Sequence, residues 1–432
     1  MKTLDHYFEQ FLNKSIPSVT ISLFRIAFSL VLVFQTYYFL TTDFIQNNII
    51  NPLILFPFIR GLDPISNVKL IILGYIMLAA NFGMFFNRIA RPATLIFLLC
   101  FTYFWILDKG YFNNHYYFIS LMCFLLILVE KKPSFTNNVY VPRLSLFALQ
   151  FMVFIVYFIA GINKINPYWL FDLQPMQHIL EMKSELTNNP FFQNKKVIII
   201  ASYSGLLFDL CIGFLLFIRK TRLLAFILLL IFHLGNHFLF KDVGEIGVFP
   251  FLMLTTFILF INPKSLMQFF RLNEQPTLLL NMPMMLKKFI IFFLILQLVL
   301  PFRHILFKGN VDYNGIGQRF SWRMKIMYKE SKIDYFIINK MTQEKYSVNI
   351  RPMLTNKQFN NLKYYPDLII PLAKKIKLEA NEKFNIKNAK VTCEYKMKFM
   401  NGDEHLIFSP ELDLTKINES KKSNKWLWEL KD

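Results

Sequence analysis

The chain has 432 residues, of which 54% are hydrophobic and 50 are phenylalanine, and it carries a formal charge of +20. Apolar content gathered into long runs excludes an ordinary soluble domain and points to a polytopic helical membrane protein. The lysines are spread out and no RNA- or DNA-binding motif accompanies them, so basic loops against anionic lipid explain the charge more simply than nucleic acid does.

The first 18 residues lack the charged, apolar and cleavage regions of a signal peptide. Leu4, Tyr7, Phe8, Phe11 and Leu12 fall at helical spacing, which predicts a short amphipathic interfacial helix over residues 1–18. Nine membrane-spanning helices are predicted, near 19–41, 68–86, 92–108, 114–130, 144–163, 197–218, 222–240, 246–262 and 286–302. The loops on the N-terminal side carry more lysine and arginine, among them Arg88, Arg91, Arg143, Arg219 and Lys220, so that side is expected to be cytoplasmic. An odd number of spans then puts the tail from 303 on the opposite face. That tail changes character. KYSVNI and KVTCEYKMKF alternate as strands do, and LIIPLAKKIKLEANEKF reads as a helix that Pro371 is expected to confine to the part after it. The predicted architecture is an all-α polytopic membrane bundle over 19–302 followed by a small α+β extramembrane domain over 303–432. Cys100, Cys123, Cys211 and Cys393 form no CxxC pair or framework spacing, which argues against a disulfide scaffold or a zinc site.

Titratable side chains within membrane runs are expensive and are functional candidates for that reason. Arg25 sits in SLFRIAFSL, Asp209 in GLLFDLCIGFLLF, and His233 and His237 in IFHLGNHFLF. His115 opens NNHYYFISL, and Lys164 ends LFALQFMVFIVYFIAGINK. Two readings of Lys164 stand. It either snorkels to the interface beside Trp169 as a belt aromatic, or is held out of water as an amine that acts as a general base. Ala160 and Gly161 have almost no side chain, leaving room for a bulky ligand. His233 and His237 share a helix face at i, i+4, suited to metal ligation or to hydrogen bonding within the bundle, with Asp242 and Glu245 the nearest carboxylates that follow. Asp209 is expected to face the bundle and pair with arginine or histidine. His115, with Asn113 and Asn114, is either an ordinary helix start or a functional histidine. Glycine-rich phosphate loops, HExxH and GxSxG are absent.

The ordered blocks carry more than any residue alone. They are LFRIAFSL, LDKGYFNNHYYF (107–118), VYFIAGINKINPYWL (156–170), LLFDLCIGFLLF (206–217), FHLGNHFLF with IGVFPFLML, LPFRHILFKGN with GQRFSWRMK, PDLIIPLA and NGDEHLIFSPELDL. Together they resemble the vitamin K-dependent gamma-glutamyl carboxylase family, whose membrane part is the HTTM domain. The resemblance implies that a lysine deprotonates a vitamin K hydroquinone, that O2 converts it to the epoxide, and that this oxygenation supplies the strong base for a glutamate γ-proton before CO2 is captured. Lys164 matches the family's base in AGxxK. His115 matches the histidine of NNHxY, expected to stabilise developing negative charge. Tyr157, Asp209, His233 and Asn236 match pocket positions, with Asn114, Ala160 and Gly161 beside them and the turn at 167–169 as the pocket's lip. His304, Arg319 and Trp322 fall on the glutamate side. The implied co-substrates are vitamin K hydroquinone (menaquinol), O2 and CO2, with no metal. The implied partners are lipids, the quinol and a glutamate-containing protein or peptide, with no nucleic acid; the oligomeric state is open.

The departures sit on the glutamate side and in one loop. Tyr313 stands where the family often has Trp, Gln318 where bacterial-looking relatives often have His, and KDVGE (241–245) lengthens the loop before Ile246. His237 has no counterpart, and the tail is shorter than that of the animal enzymes. A composition rich in Ile, Lys, Asn and Phe without a cysteine framework suggests a bacterial inner-membrane protein with a periplasmic tail. The alternatives are a quinol epoxidase that does not carboxylate glutamate, and a non-catalytic quinone- or lipid-binding membrane protein.

Overall fold

The computed structural model describes residues 9–42, 44–130, 139–241, 243, 246–272, 279–418 and 426–430. Of the predicted N-terminal helix, Leu4, Tyr7 and Phe8 lie outside the described residues. Residues 9–13 are helical, with Leu12 buried and Phe11 exposed. A two-stranded antiparallel pair follows, β1 (Ser15–Pro17) against β2 (Tyr140–Pro142). Both strands end in proline, which biases the residue before it to extended backbone.

Apolar helices stand at every predicted position: α1 (Val19–Thr41), α2 (Asn67–Gly83), α3 (Ala90–Ile106), α4 (Asn114–Val129) and α5 (Arg143–Asn163). The amphipathic α6 (Met176–Thr187) intervenes before α7 (Lys195–Phe217), α8 (Arg222–Phe240), α9 (Phe249–Thr255), α10 (Pro263–Phe269) and α11 (Met284–Val299). A helix satisfies its own backbone polar groups, as crossing a bilayer demands. Among the described residues five helices are long and apolar enough to cross, or six with the bent pair Phe249–Phe260 and Pro263–Phe269 as one span. The helices α2, α3 and α4 have 17, 17 and 16 residues. Length and composition by themselves therefore support five or six spans, and the three shorter apolar helices fall below that length. The helix predicted over 246–262 is also interrupted. It becomes 3-10 at Thr256–Phe260 and turns by 91° into α10. Asn262 is extended before Pro263, and its side chain accepts from the Lys264 amide, so Asn-Pro ends one helix and caps the next.

Arg25 is buried within this bundle. Its Nε donates to Glu130 Oε2 at 3.0 Å, its Nη2 to Asn87 Oδ1 at 2.6 Å, and its Nη1 to the Met84 carbonyl.

The tail folds as an antiparallel sheet in the order β4-β3-β5-β6, from β3 (Lys329–Asn339), β4 (Lys345–Val348), β5 (Ala389–Phe399) and β6 (Glu404–Leu406). In β5 every second residue from Ala389 to Phe399 is buried, the period of a strand with one packed face. Between β4 and β5 lie α12 (Asn356–Leu362) and α13 (Ile369–Phe384). Helix α13 starts before Pro371, contrary to the expectation. Proline there occupies the first turn, where its missing N–H has no helical partner to lose. Ile369, Leu372, Ala373 and Ile376 of α13 pack with Tyr335, Val391, Cys393 and Tyr395 in one core.

The tail docks on the bundle through residues 107–112. Gln358 Nε2 donates to Asp108 Oδ2 at 2.6 Å, Tyr111 Oη bonds Thr355 Oγ1 at 2.5 Å, and Asn361 Nδ2 donates to the Gly110 carbonyl at 2.5 Å.

Candidate active site

Lys164 is the residue at which α5 ends, and it does not reach water: it is 6% exposed. Its Nζ is paired with Asp209 Oδ2 on α7 and stands 5.2 Å from the centre of the Trp169 ring. Asp209 therefore pairs with lysine rather than with the arginine or histidine expected. Asn166 and Pro167 make the local turn that brings Trp169 back: the Asn166 side chain accepts from the Trp169 amide at 3.0 Å, and Pro167 opens a one-turn helix. Trp169 is buried, with Nε1 donating to the Ser202 carbonyl at 3.1 Å, so it is neither a belt aromatic nor an exposed lip.

Gly161 lies two residues before the end of α5, and the space beside it is filled. A Cβ there would sit 2.8 Å from the Leu210 backbone nitrogen. At Gly213 a Cβ would meet the Phe154 ring at 2.6 Å. Small residues on both helices let α5 and α7 approach closely, as in membrane bundles generally. The glycine thus serves the helix contact that carries Lys164 to Asp209, not room for a ligand. Ala160 beside it is buried.

A second pair lies further back along α5. Tyr157 Oη is 2.7 Å from His233 Nε2 on α8, both side chains buried. The Phe208 ring, next to Asp209 in sequence, packs edge-on against Tyr157 at 5.7 Å and His233 at 6.2 Å. Phe249 lies 6.3 Å from His233 and 6.2 Å from His115, ring centre to ring centre. A Cβ on Gly247 would stand 3.8 Å from His115 Nε2, so the segment after α8 folds over that histidine. Lys164 and His115 are thereby joined through Asp209, Phe208, Tyr157, His233 and Phe249 rather than by a bond to each other. Asn113 caps α4 by accepting from the Tyr116 amide at 3.0 Å, which is the ordinary helix-start role. Asn114 Oδ1 is buried without a hydrogen-bond partner.

The two histidines of α8 diverge. His233 goes to Tyr157, whereas His237 packs edge-on against Phe251 at 5.2 Å. Asp242 and Glu245 lie outside the described residues, and Asn236 is half-buried one turn from His233. Among the described residues no three His, Cys, Asp or Glu side chains gather as a metal site.

The block after α11 forms a separate cluster. His304 Nδ1 donates to the Pro301 carbonyl at 2.9 Å. Arg319 donates through Nη1 to Asp367 Oδ2 at 2.8 Å and lies 3.9 Å over the Tyr365 ring, while its Nε and Nη2 are buried without partners. Trp322 is fully buried against Tyr117, ring centres 5.2 Å apart, and its Nε1 also has no partner. Three further residues, Asn163, Arg323 and Asp312, bond this block to the end of α5. Sequence reasoning did not single them out. Asp312 and Arg323 lie in polar sequence with no periodicity, and Asn163 was legible only as the neighbour of Lys164.

A cavity of about 370 Å³ lies apart from these pairs, lined by Tyr168, Tyr313, Met397, Phe399, Asp403 and His405 among others.

No solved structure matches the chain. The HTTM domain family matches residues 13–264, a stretch that takes in Lys164, Asp209, Tyr157, His233 and His115. The lumenal domain of vitamin K-dependent gamma-carboxylase matches residues 282–432, which take in Arg319 and the sheet. The chain thus belongs to the vitamin K-dependent gamma-carboxylase family, as an integral membrane protein with that family's membrane and lumenal domains in order.

Proposed function

We propose that the protein is a vitamin K-dependent carboxylase-type enzyme that oxygenates reduced vitamin K and uses that reaction to carboxylate glutamate side chains. The observation that carries the reading is Lys164, buried at a membrane-helix end against one carboxylate and one tryptophan. An anchoring lysine would extend to water instead.

When bound, the hydroquinone and O2 supply the oxidative chemistry and the strong base that the glutamate γ-proton requires. The residues fit such a group: Phe208, Trp169 and Phe249 are apolar and aromatic, and the unpartnered Asn114 Oδ1 is an acceptor suited to a hydroxyl. The role of Lys164 is to take a hydroxyl proton at Nζ. The ammonium formed stands against Asp209, so the new charge is paired where it arises. Tyr157 and His233 fix one another's orientation beside this pair. His115, at the amino end of α4, lies where the helix terminus favours negative charge. Burial keeps water from reactive species.

On the glutamate side, the unpartnered Nε and Nη2 of Arg319 are donors for a substrate carboxylate, with Trp322 Nε1 a further donor and His304 nearby in sequence. The partners are membrane lipids, the quinol and a glutamate-containing protein or peptide. In the membrane the reading is nine spans, with α2, α3 and α4 as short ones. The N-terminus is cytoplasmic and the extramembrane domain opposite; in a bacterial inner membrane that domain is periplasmic and the quinol is menaquinol.

The test is incubation of purified protein with menaquinol, O2, a glutamate-containing peptide and labelled bicarbonate, with quinone epoxide and fixed label measured separately. Both products are expected. Epoxide without label would leave a quinol epoxidase, and neither product despite quinol binding would leave a non-catalytic quinone-binding protein.

A further inference from the structure

Asn163 and Lys164 are adjacent at the end of α5 and engage different parts of the molecule. Lys164 pairs with Asp209 in the bundle. Asn163 is held by the block after α11: its Nδ2 donates to the Ser321 carbonyl at 2.8 Å, and its Oδ1 accepts from Arg323 Nη1 at 2.8 Å. Both ends of its amide are therefore engaged, which fixes its orientation.

Arg323 is itself held from behind. Asp312 grips it twice, Nε to Oδ1 at 2.8 Å and Nη2 to Oδ2 at 2.7 Å, with the two side chains 7% and 8% exposed. Fork-on-fork pairing fixes the guanidinium plane as well as its charge. Asp312 sits in the one-turn helix Val311–Asn314, which Asn310 caps and Gly315 closes at φ +72°. A Cβ on Gly315 would lie 2.6 Å from the Tyr364 carbonyl, so only glycine fits that turn. Lys329, at the start of β3, donates Nζ to the Tyr313 carbonyl at 2.8 Å and to the Tyr364 carbonyl at 3.3 Å. An unbroken run of polar contacts thus reaches from the sheet to the backbone beside Lys164.

Packing alone does not call for this arrangement. A buried ion pair recovers little stability beyond what well-packed apolar residues give, whereas it specifies geometry. Here the geometry specified is that of the residue next to Lys164.

We propose that Arg323, oriented by Asp312, is a positioning residue. Through Asn163 it fixes the end of α5 so that Nζ of Lys164 stands against Asp209, and it makes docking of the extramembrane domain a condition for placing the base. The inference rests on the reading of Lys164 as the base.

The experiment compares Arg323→Ala, Arg323→Lys, Asn163→Leu and Lys164→Ala, all as full-length protein, for menaquinol epoxidation. Misplacing a reacting group by about 1 Å lowers rates by on the order of 100-fold. Arg323→Ala and Asn163→Leu are expected to lower kcat by about 10- to 100-fold with the KM for quinol changed less than twofold, and Arg323→Lys is expected to recover part of the loss. A merely structural role would move KM, or protein yield, together with kcat and would show no such recovery. Should Arg323→Ala not fold, Asn163→Leu alone decides. Unchanged kcat in Arg323→Ala or Asn163→Leu beside an inactive Lys164→Ala would overturn the positioning role and leave the base assignment standing. Activity in Lys164→Ala would overturn both.

Discussion

Replacing Lys329 with methionine removes a charge from the middle of the extramembrane domain. Lys329 is fully buried, and its Nζ bonds two carbonyls, those of Tyr313 and Tyr364. Burial lowers its pKa from 10.5 to about 7, and the neighbouring charge of Asp312 only partly opposes the fall. The unfolded chain keeps this proton up to about pH 10.5, whereas the folded domain releases it near 7. Between those values the unfolded state binds more protons, so stability rises with pH, by about 1.4 kcal/mol per pH unit for a single group. Below pH 7 both states are protonated and the full penalty, on the order of 5 kcal/mol, weighs on the folded state. Methionine keeps the volume and abolishes the titration but leaves two carbonyls short of a donor, at roughly 1–3 kcal/mol. Denaturant unfolding of the detergent-solubilised protein between pH 6 and 9.5, followed by the extramembrane domain's signal, is the assay. The wild type should gain stability above pH 7 relative to Lys329→Met, and the variant should equal or exceed it at pH 6. Parallel pH profiles for the two proteins would refute the reasoning.

Asp209→Asn removes the carboxylate that holds Lys164 Nζ and that pairs the ammonium formed on proton transfer; loss of epoxide formation is expected together with a lower Tm. Gly161→Ala drives a methyl group into the backbone of α7, an overpacking worth about 1–3 kcal/mol, read as a lower Tm with reduced activity. Arg319→Ala should raise the KM for the glutamate peptide and diminish fixed label while quinol binding is retained; unchanged peptide KM would remove Arg319 from the substrate site.

The apolar helices were legible because long runs of hydrophobic residues read the same from sequence as from structure. The number of spans was not, since α2, α3 and α4 fall near the length at which apolarity alone stops deciding. The break after Phe260 is written in Asn262 and Pro263, which read equally well as a plain helix end. Strand β3 was missed because Lys329, Glu330, Lys332 and Asp334 interrupt its alternation, and because a buried lysine looks in sequence like a surface one. Lys164 could be singled out from its apolar surroundings, but its partner lies 45 residues away on another helix and no local pattern announces it. The same holds for Arg25 with Glu130, whose glutamate precedes two lysines and reads as a loop boundary. Gly161 was noticed for its missing side chain, yet sequence alone does not say whether a ligand or a helix fills the gap.

The central claim is that Lys164 is the base. Epoxide formation from menaquinol and O2 by Lys164→Ala, purified in folded form with quinol binding and Tm verified, tests it most directly. The account predicts that epoxide disappears while quinol remains bound. Epoxidation at the wild-type rate in that variant would contradict it.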